Sequence, residues 1–224
     1  MAGGDRSRRR SRTRAVLWDL DGTLTDSVRF VVDTANQVIT KHGGSPIDFA
    51  AFGRMTGLPL EALFRVAWPD LSDEDAVTYR TEYRAIYDEV AIPATKLYRG
   101  AITTLRAFRR AGIKQATVTG KRAADCERIL RGLGLKREVD AYLGGDSVAR
   151  PKPDPDLALA AMELLRVAPH ETAVIGDTRT DMRMARAAGA LAVQVLWGVE
   201  TERVPEADLT VRTWPELRER ILRP

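Results

Sequence analysis

Cysteine is nearly absent: Cys126 is the only one in 224 residues. A lone thiol excludes an intrachain disulfide and fits a reducing compartment, so a cytoplasmic protein is expected. Histidine is almost as scarce. His42 and His170 have no metal-ligand company nearby, and both read as structural. No apolar run approaches the roughly 18–20 residues that a membrane span needs, so no membrane partner is expected. Aromatic residues are only 6% of the chain. Trp68, Trp197 and Trp214 read as core or rim packing, with Trp197-Gly198 placed to border a site. There is no internal repeat.

The charge balance is uneven rather than strong. The formal net charge is +4 and the pI about 9.4. Residues 1–14 hold six arginines and one acid, a net of +5, which leaves about −1 for the rest. The body is close to neutral, so nucleic acid is not an expected partner. The arginine-rich stretch is polar and without periodicity, and a disordered tail over 1–14 is expected. A twin-arginine export signal would need an apolar stretch after it. Here the arginines run directly into Ala15-Val16-Leu17-Trp18.

That short apolar run reads as a buried strand. It is followed by Asp19-Leu20-Asp21-Gly22-Thr23-Leu24-Thr25-Asp26-Ser27. Two carboxylates two residues apart, with a sharp turn at Gly22, can reach one crevice at the carboxyl end of a parallel sheet. One can serve as nucleophile and the other move a proton. A second run, Lys114–Lys121, ends in Thr119 and Gly120, a hydroxyl and an N–H suited to phosphate oxygens. A third segment, 150–155, sets Lys152 between two prolines that stiffen the backbone around its ammonium. A fourth apolar run, 173–176, leads to Asp177, and Asp181 follows four residues on, able to face the same way. Paired carboxylates with Asp19 as a third suit a hard cation, Mg2+ where phosphate is present. Taken singly, each segment is also explained by an acidic turn, a capped helix start or a proline-rich loop.

In this order and at these separations the four segments resemble the haloacid dehalogenase-like hydrolases, specifically their phosphatase branch, over roughly residues 15–196. The resemblance implies that Asp19 is the nucleophile and a Mg2+ ligand. It implies that Asp21 is the general acid and base, also giving the metal its backbone carbonyl. Thr119 and Lys152 would hold the transferring phosphoryl group, with Leu20, Gly120 and Lys121 among the substrate-binding residues. Asp177 would be a direct metal ligand and Asp181 would bind through water or steady the ligands. Dehalogenase relatives lack an acid at the Asp21 position, so a phosphohydrolase is implied.

Strand and helix patterns alternate from residue 96 onward, which predicts an α/β fold. Strands are expected at about 15–19, 114–119, 140–143, 172–176 and 191–195. Helices are expected at about 100–111, 122–132, 156–166, 180–188 and 215–222. Residues 27–95 are helical in character, with breaks at Gly43-Gly44-Ser45-Pro46, Pro59, Trp68-Pro69 and Pro93. They resemble the small helical cap that phosphoglycolate phosphatases and β-phosphoglucomutases share. The expectation is thus a Rossmann-like doubly wound parallel sheet (15–26 and 96–224) with an inserted all-helical cap at 27–95, hinged near 25–27 and 94–100. Within the cap, Arg54 and Thr56, in Gly53-Arg54-Met55-Thr56-Gly57, are expected to face the substrate. The implied activity is hydrolysis of a small phosphate monoester: phosphoglycolate, a sugar phosphate or a phosphorylated natural-product intermediate. The alternatives are a phosphomutase using the same residues, or a binding protein on the same fold. The expected partner is a small phosphorylated metabolite, and the chain a monomer or homodimer.

Overall fold

The structure, a computed structural model, describes residues 12–49, 51, 55 and 60–223. Its centre is a six-stranded parallel sheet. The strands are β1 (Ala15–Trp18), β4 (Lys114–Val118), β5 (Ala141–Leu143), β6 (Thr172–Gly176), β7 (Leu191–Val195) and β8 (Leu209–Val211). Their order is β5-β4-β1-β6-β7-β8. β1 is therefore the point at which the winding reverses, and crevices of open α/β sheets lie at such points.

Side chains of β1 alternate between the two faces, as the pleat requires. Val16 and Trp18 pack with Leu105 and Phe108 of α4 (Ala101–Arg110), Ile129 and Leu130 of α5 (Ala123–Gly132), and Leu217 of α8 (Trp214–Leu222). Ala15 and Leu17 pack on the opposite side, with Leu157, Ala161 and Leu165 of α6 (Asp156–Leu165) and Met182 of α7 (Arg179–Ala187). All four residues of β1 are buried, which accounts for its uninterrupted apolar sequence. Trp18 stacks on Phe108 at 5.8 Å between ring centroids. Its indole N–H donates to Gln115 Oε1 at 3.0 Å.

The chain leaves the sheet after β1 through β2 (Thr25–Asp26) and returns through β3 (Lys96–Leu97), which pair antiparallel. Between them lies the helical cap: α1 (Val28–Lys41), α2 (Leu60–Ala67) and α3 (Asp73–Ala94). Pro93, expected as a break, lies inside α3. A proline in the last turn removes a single N–H from the ladder, and Thr95 closes the helix by donating its N–H to Ala91 O at 3.0 Å. Two further features went unforeseen. β2 and β3 have two residues each, and β8 is a three-residue edge strand too short to show a pattern.

At the amino end, Arg14 accepts a backbone bond from Lys114 and donates one to Glu171. Most of the expected tail lies outside the described residues. Among the described residues, no helix is long and apolar enough to cross a membrane.

Candidate active site

Three adjacent strands deliver the chemistry. β4, β1 and β6 run side by side, and the residues that follow them are Thr119, Asp19 and Asp177. Asp19 is tied to the neighbouring strand by its N–H, which donates to Ile175 O at 2.8 Å. Lys152 enters from the loop before α6, and Asp181 from the first turn of α7.

Lys152 is buried and joins two of these groups. Its Nζ is 2.6 Å from Asp19 Oδ1 and 2.6 Å from Asp181 Oδ1. Burial by itself would strip its proton, but the charges of Asp181 and Asp19 prevail and hold its pKa above the ordinary lysine value. Asp181 has a second task. Its Oδ2 accepts from Thr178 Oγ1 at 2.6 Å and Thr178 N at 3.1 Å, a reciprocal cap on α7. The spacing Thr178-x-x-Asp181 was a readable capping signal.

Asp177 is wholly buried and held by Thr23 Oγ1 at 3.0 Å and the backbone N–H of Val199 at 2.7 Å. The room around it depends on two glycines. A Cβ at Gly22, which has φ +79°, would meet Asp177 Oδ2 at 2.2 Å, and one at Gly198 would meet it at 2.3 Å. Trp197 fixes this corner by donating its indole N–H to Thr23 O at 3.0 Å. Sequence reasoning placed Trp197-Gly198 at the border of the site but missed Thr23 and the Val199 N–H. Thr23 lies within the Asp19–Ser27 segment, read for its carboxylates and its turn alone, and no local pattern marks the Val199 N–H.

Asp19, Asp177 and Asp181 offer carboxylate oxygens within 4.8 Å of one another, all three residues buried. Burial, with Asp181 and Asp21 adding to it, pushes Asp19 up to about 7 against the pull of Lys152. Burial and the charges of Asp19 and Asp181 likewise raise Asp177 well above the usual carboxylate range. Three buried carboxylates against one ammonium are under-compensated. An all-oxygen donor set of this charge fits a hard divalent cation.

Asp21 points elsewhere. Its Oδ2 is 2.9 Å from Lys121 Nζ, and its Oδ1 accepts a short hydrogen bond from Ser27. Ser27 is in turn 2.9 Å from Thr25 Oγ1. The Lys121 ammonium also sits 4.8 Å from the ring centroid of Tyr87 in α3, so core and cap meet at this lysine. Asp21 keeps it charged: burial opposes, yet its pKa is raised well above the ordinary value.

Asp19, Asp21, Thr119, Gly120, Lys121 and Asp181 line one cavity of about 320 Å³ between the strand ends and the cap. Leu20, one of the expected substrate-binding residues, has its side chain fully buried in the core. Arg54 and Thr56 lie outside the described residues. The cap side contributes groups that sequence reasoning did not single out, among them Glu61 and Arg80, which form an ion pair, with Tyr83, Arg84 and Tyr87.

The family described as haloacid dehalogenase-like hydrolase matches residues 16–195. Among curated relatives, the chain is 32% identical over 208 residues to "Probable phosphatase IndB" of Dickeya dadantii, covering 90% of each chain. It is 32% identical over 199 residues to a phosphoglycolate phosphatase of Rhodospirillum rubrum, covering 85% of this chain and 83% of that one. Among solved structures, a predicted phosphatase from Clostridium acetobutylicum superimposes with a TM-score of 0.85 at 25% identity. The match covers 96% of this chain and 100% of that one.

Proposed function

The chain belongs to the haloacid dehalogenase-like hydrolases, as an enzyme of their phosphatase branch, and from that membership we propose that it hydrolyses a small phosphate monoester through an aspartyl-phosphate at Asp19. The observation that carries the reading is the Lys152-linked carboxylate cluster at the ends of β1 and β6 and the start of α7.

An Asp19 carboxylate oxygen attacks phosphorus, and the bond to the leaving oxygen breaks as Asp21 gives that oxygen a proton. Water then attacks the phosphorus of the aspartyl-phosphate while Asp21 takes its proton, and the Asp19–phosphorus bond breaks to release phosphate. One carboxyl group serving as acid and then base suits a two-step covalent route. Thr119 and Lys152 receive the phosphoryl oxygens, Lys152 as a buried charge already aimed at Asp19. Asp19, Asp177 and the backbone carbonyl of Asp21 would hold Mg2+, with Asp181 steadying them. The ion would offset the negative charge of the phosphoryl group.

The cap, taken as 27–95 over a core of 15–26 and 96–224, excludes water from the transfer and reads the leaving group. Phosphoglycolate, a sugar phosphate or a phosphorylated natural-product intermediate all fall within this class. The similarity to phosphoglycolate phosphatases supports the first, and that to "Probable phosphatase IndB" supports the phosphatase class alone. A small phosphorylated metabolite in the cytoplasm is the partner this reading implies.

The test is phosphate release from a panel of phosphate esters with and without Mg2+, for the native protein and Asp19→Asn. Metal-dependent release that vanishes in the variant supports the reading. Release that survives in Asp19→Asn removes the covalent route.

A further inference from the structure

The cavity has two unlike walls. The side toward the strand ends is polar, with Asp19, Asp21, Thr119 and Asp181. The cap side presents Leu60 and Leu63 of α2 and Tyr83 of α3, apolar groups that stand beside the charged Glu61, Arg80 and Arg84.

The cations around this cavity divide as sharply. Lys121 is paired with Asp21. Arg122 makes two bonds to Asp125, at 2.7 and 3.0 Å. Arg80 is paired with Glu61. Arg84 lines the same cavity one helical turn from Arg80, yet it makes no ion pair or hydrogen bond among the described residues. It is half-buried, and burial together with the charges of Arg122 and Arg80 holds its pKa below the ordinary arginine value. The carboxylates whose charge reaches Arg84, Glu61 and Asp125, are bonded instead to Arg80 and Arg122, an incomplete arrangement that an incoming anion completes.

Building on the phosphatase reading, we propose that Arg84 selects a leaving group bearing its own carboxylate on an apolar body that lies along Leu60, Leu63 and Tyr83. The carboxylate matches the guanidinium fork, and the apolar body covers the cap wall while the phosphoryl group sits at Asp19. A two-carbon acid supplies the charge but leaves that wall wet. A neutral sugar supplies neither feature. The preferred substrates are therefore phosphate esters of aryl or longer-chain hydroxy acids.

The experiment compares kcat/KM for 4-carboxyphenyl phosphate, phenyl phosphate and phosphoglycolate, with Mg2+, in the native protein, Arg84→Ala and Arg84→Lys. The native protein is expected to favour 4-carboxyphenyl phosphate over each of the others by about tenfold or more, the scale of one charge-assisted contact. Arg84→Ala is expected to bring its ratio to phenyl phosphate close to one, and Arg84→Lys to retain part of it. Metal-dependent hydrolysis of phenyl phosphate by a native protein that does not discriminate overturns the proposal and leaves the phosphatase reading standing. Preference for phosphoglycolate, or a ratio that survives in Arg84→Ala, also overturns it. No metal-dependent release from any of the three esters, with no trapped phosphoenzyme, overturns both.

Discussion

The ammonium of Lys121 lies 2.9 Å from Asp21 Oδ2, so the turn after β4 holds the side chain proposed to move the proton. The family resemblance implies that Lys121 is among the substrate-binding residues. In the fold it is a partner of Asp21 that also touches Tyr87 of the cap.

Lys121→Met therefore tests positioning against binding. With Ser27 left as its remaining partner, Asp21 is expected to lose its fixed orientation, lowering kcat by about 10- to 100-fold with little change in KM, in the range of one displaced proton-transfer group. Steady-state kinetics on a single ester decide it. A rise in KM at constant kcat would return Lys121 to substrate binding.

Asp177→Asn probes the carboxylate cluster. It removes one charge from a buried set that Lys152 only partly offsets, so the metal-free variant is expected to melt higher, by about 1 kcal/mol of stability. Mg2+ at 100 times its dissociation constant should stabilise the native protein by about 2.7 kcal/mol and the variant far less. Thermal melts with and without chelator measure both effects. An equal Mg2+ increment in the two proteins would exclude Asp177 as a ligand.

Cys126 supplies a pH signature of its own, separate from the phosphoryl-transfer residues though within reach of the charges of Asp21, Lys121 and Asp19. Burial pushes its thiol from 9.0 up to about 11, although Thr117 opposes this. Below pH 9 folded and unfolded chains both hold the proton, and stability owes nothing to it. Between pH 9 and 11 the unfolded chain loses a proton that the native state keeps, so stability falls as pH rises, by about 2–3 kcal/mol at the top of the window. In denaturant unfolding, the stability difference between native protein and Cys126→Ala should be constant below pH 9 and narrow only as pH rises through that window. Aromatic disulfide reagents at pH 8 should label the native thiol only as fast as the protein opens.

Gln115 tests the sheet that carries the site. Its Nε2 donates to Leu105 O at 2.9 Å and Glu138 O at 3.2 Å, while its Oε1 accepts from Trp18. Gln115→Leu strands one donor and two acceptors in a closed core, with an expected cost of about 2–4 kcal/mol. Urea unfolding at pH 7 reads it. A loss under 1 kcal/mol would mean that the neighbouring groups find other partners.

Much of this protein follows from its local sequence. Apolar runs ending in Asp19 and Asp177 mark β1 and β6, because strands buried on both faces tolerate little else, whereas β4, Lys-Gln-Ala-Thr-Val before Thr119, keeps buried polar residues that find partners. The α/β alternation and the helical insertion follow from composition and breakers, and the type of chemistry is what the family resemblance of the closing residues, taken together, implies. Local sequence does not say that β8 exists, since Leu-Thr-Val at a sheet edge is too short to carry a periodic signal. Nor does it say that Lys152 meets Asp19 across 133 positions or that Lys121 turns to Asp21. It gives no sign that Arg84 alone among the cavity's described arginines lacks a carboxylate. Such pairings depend on strand order and on the way the cap closes over the sheet. Periodicity reports only which face of an element is buried, whereas the partner found there is decided by elements far away in the chain.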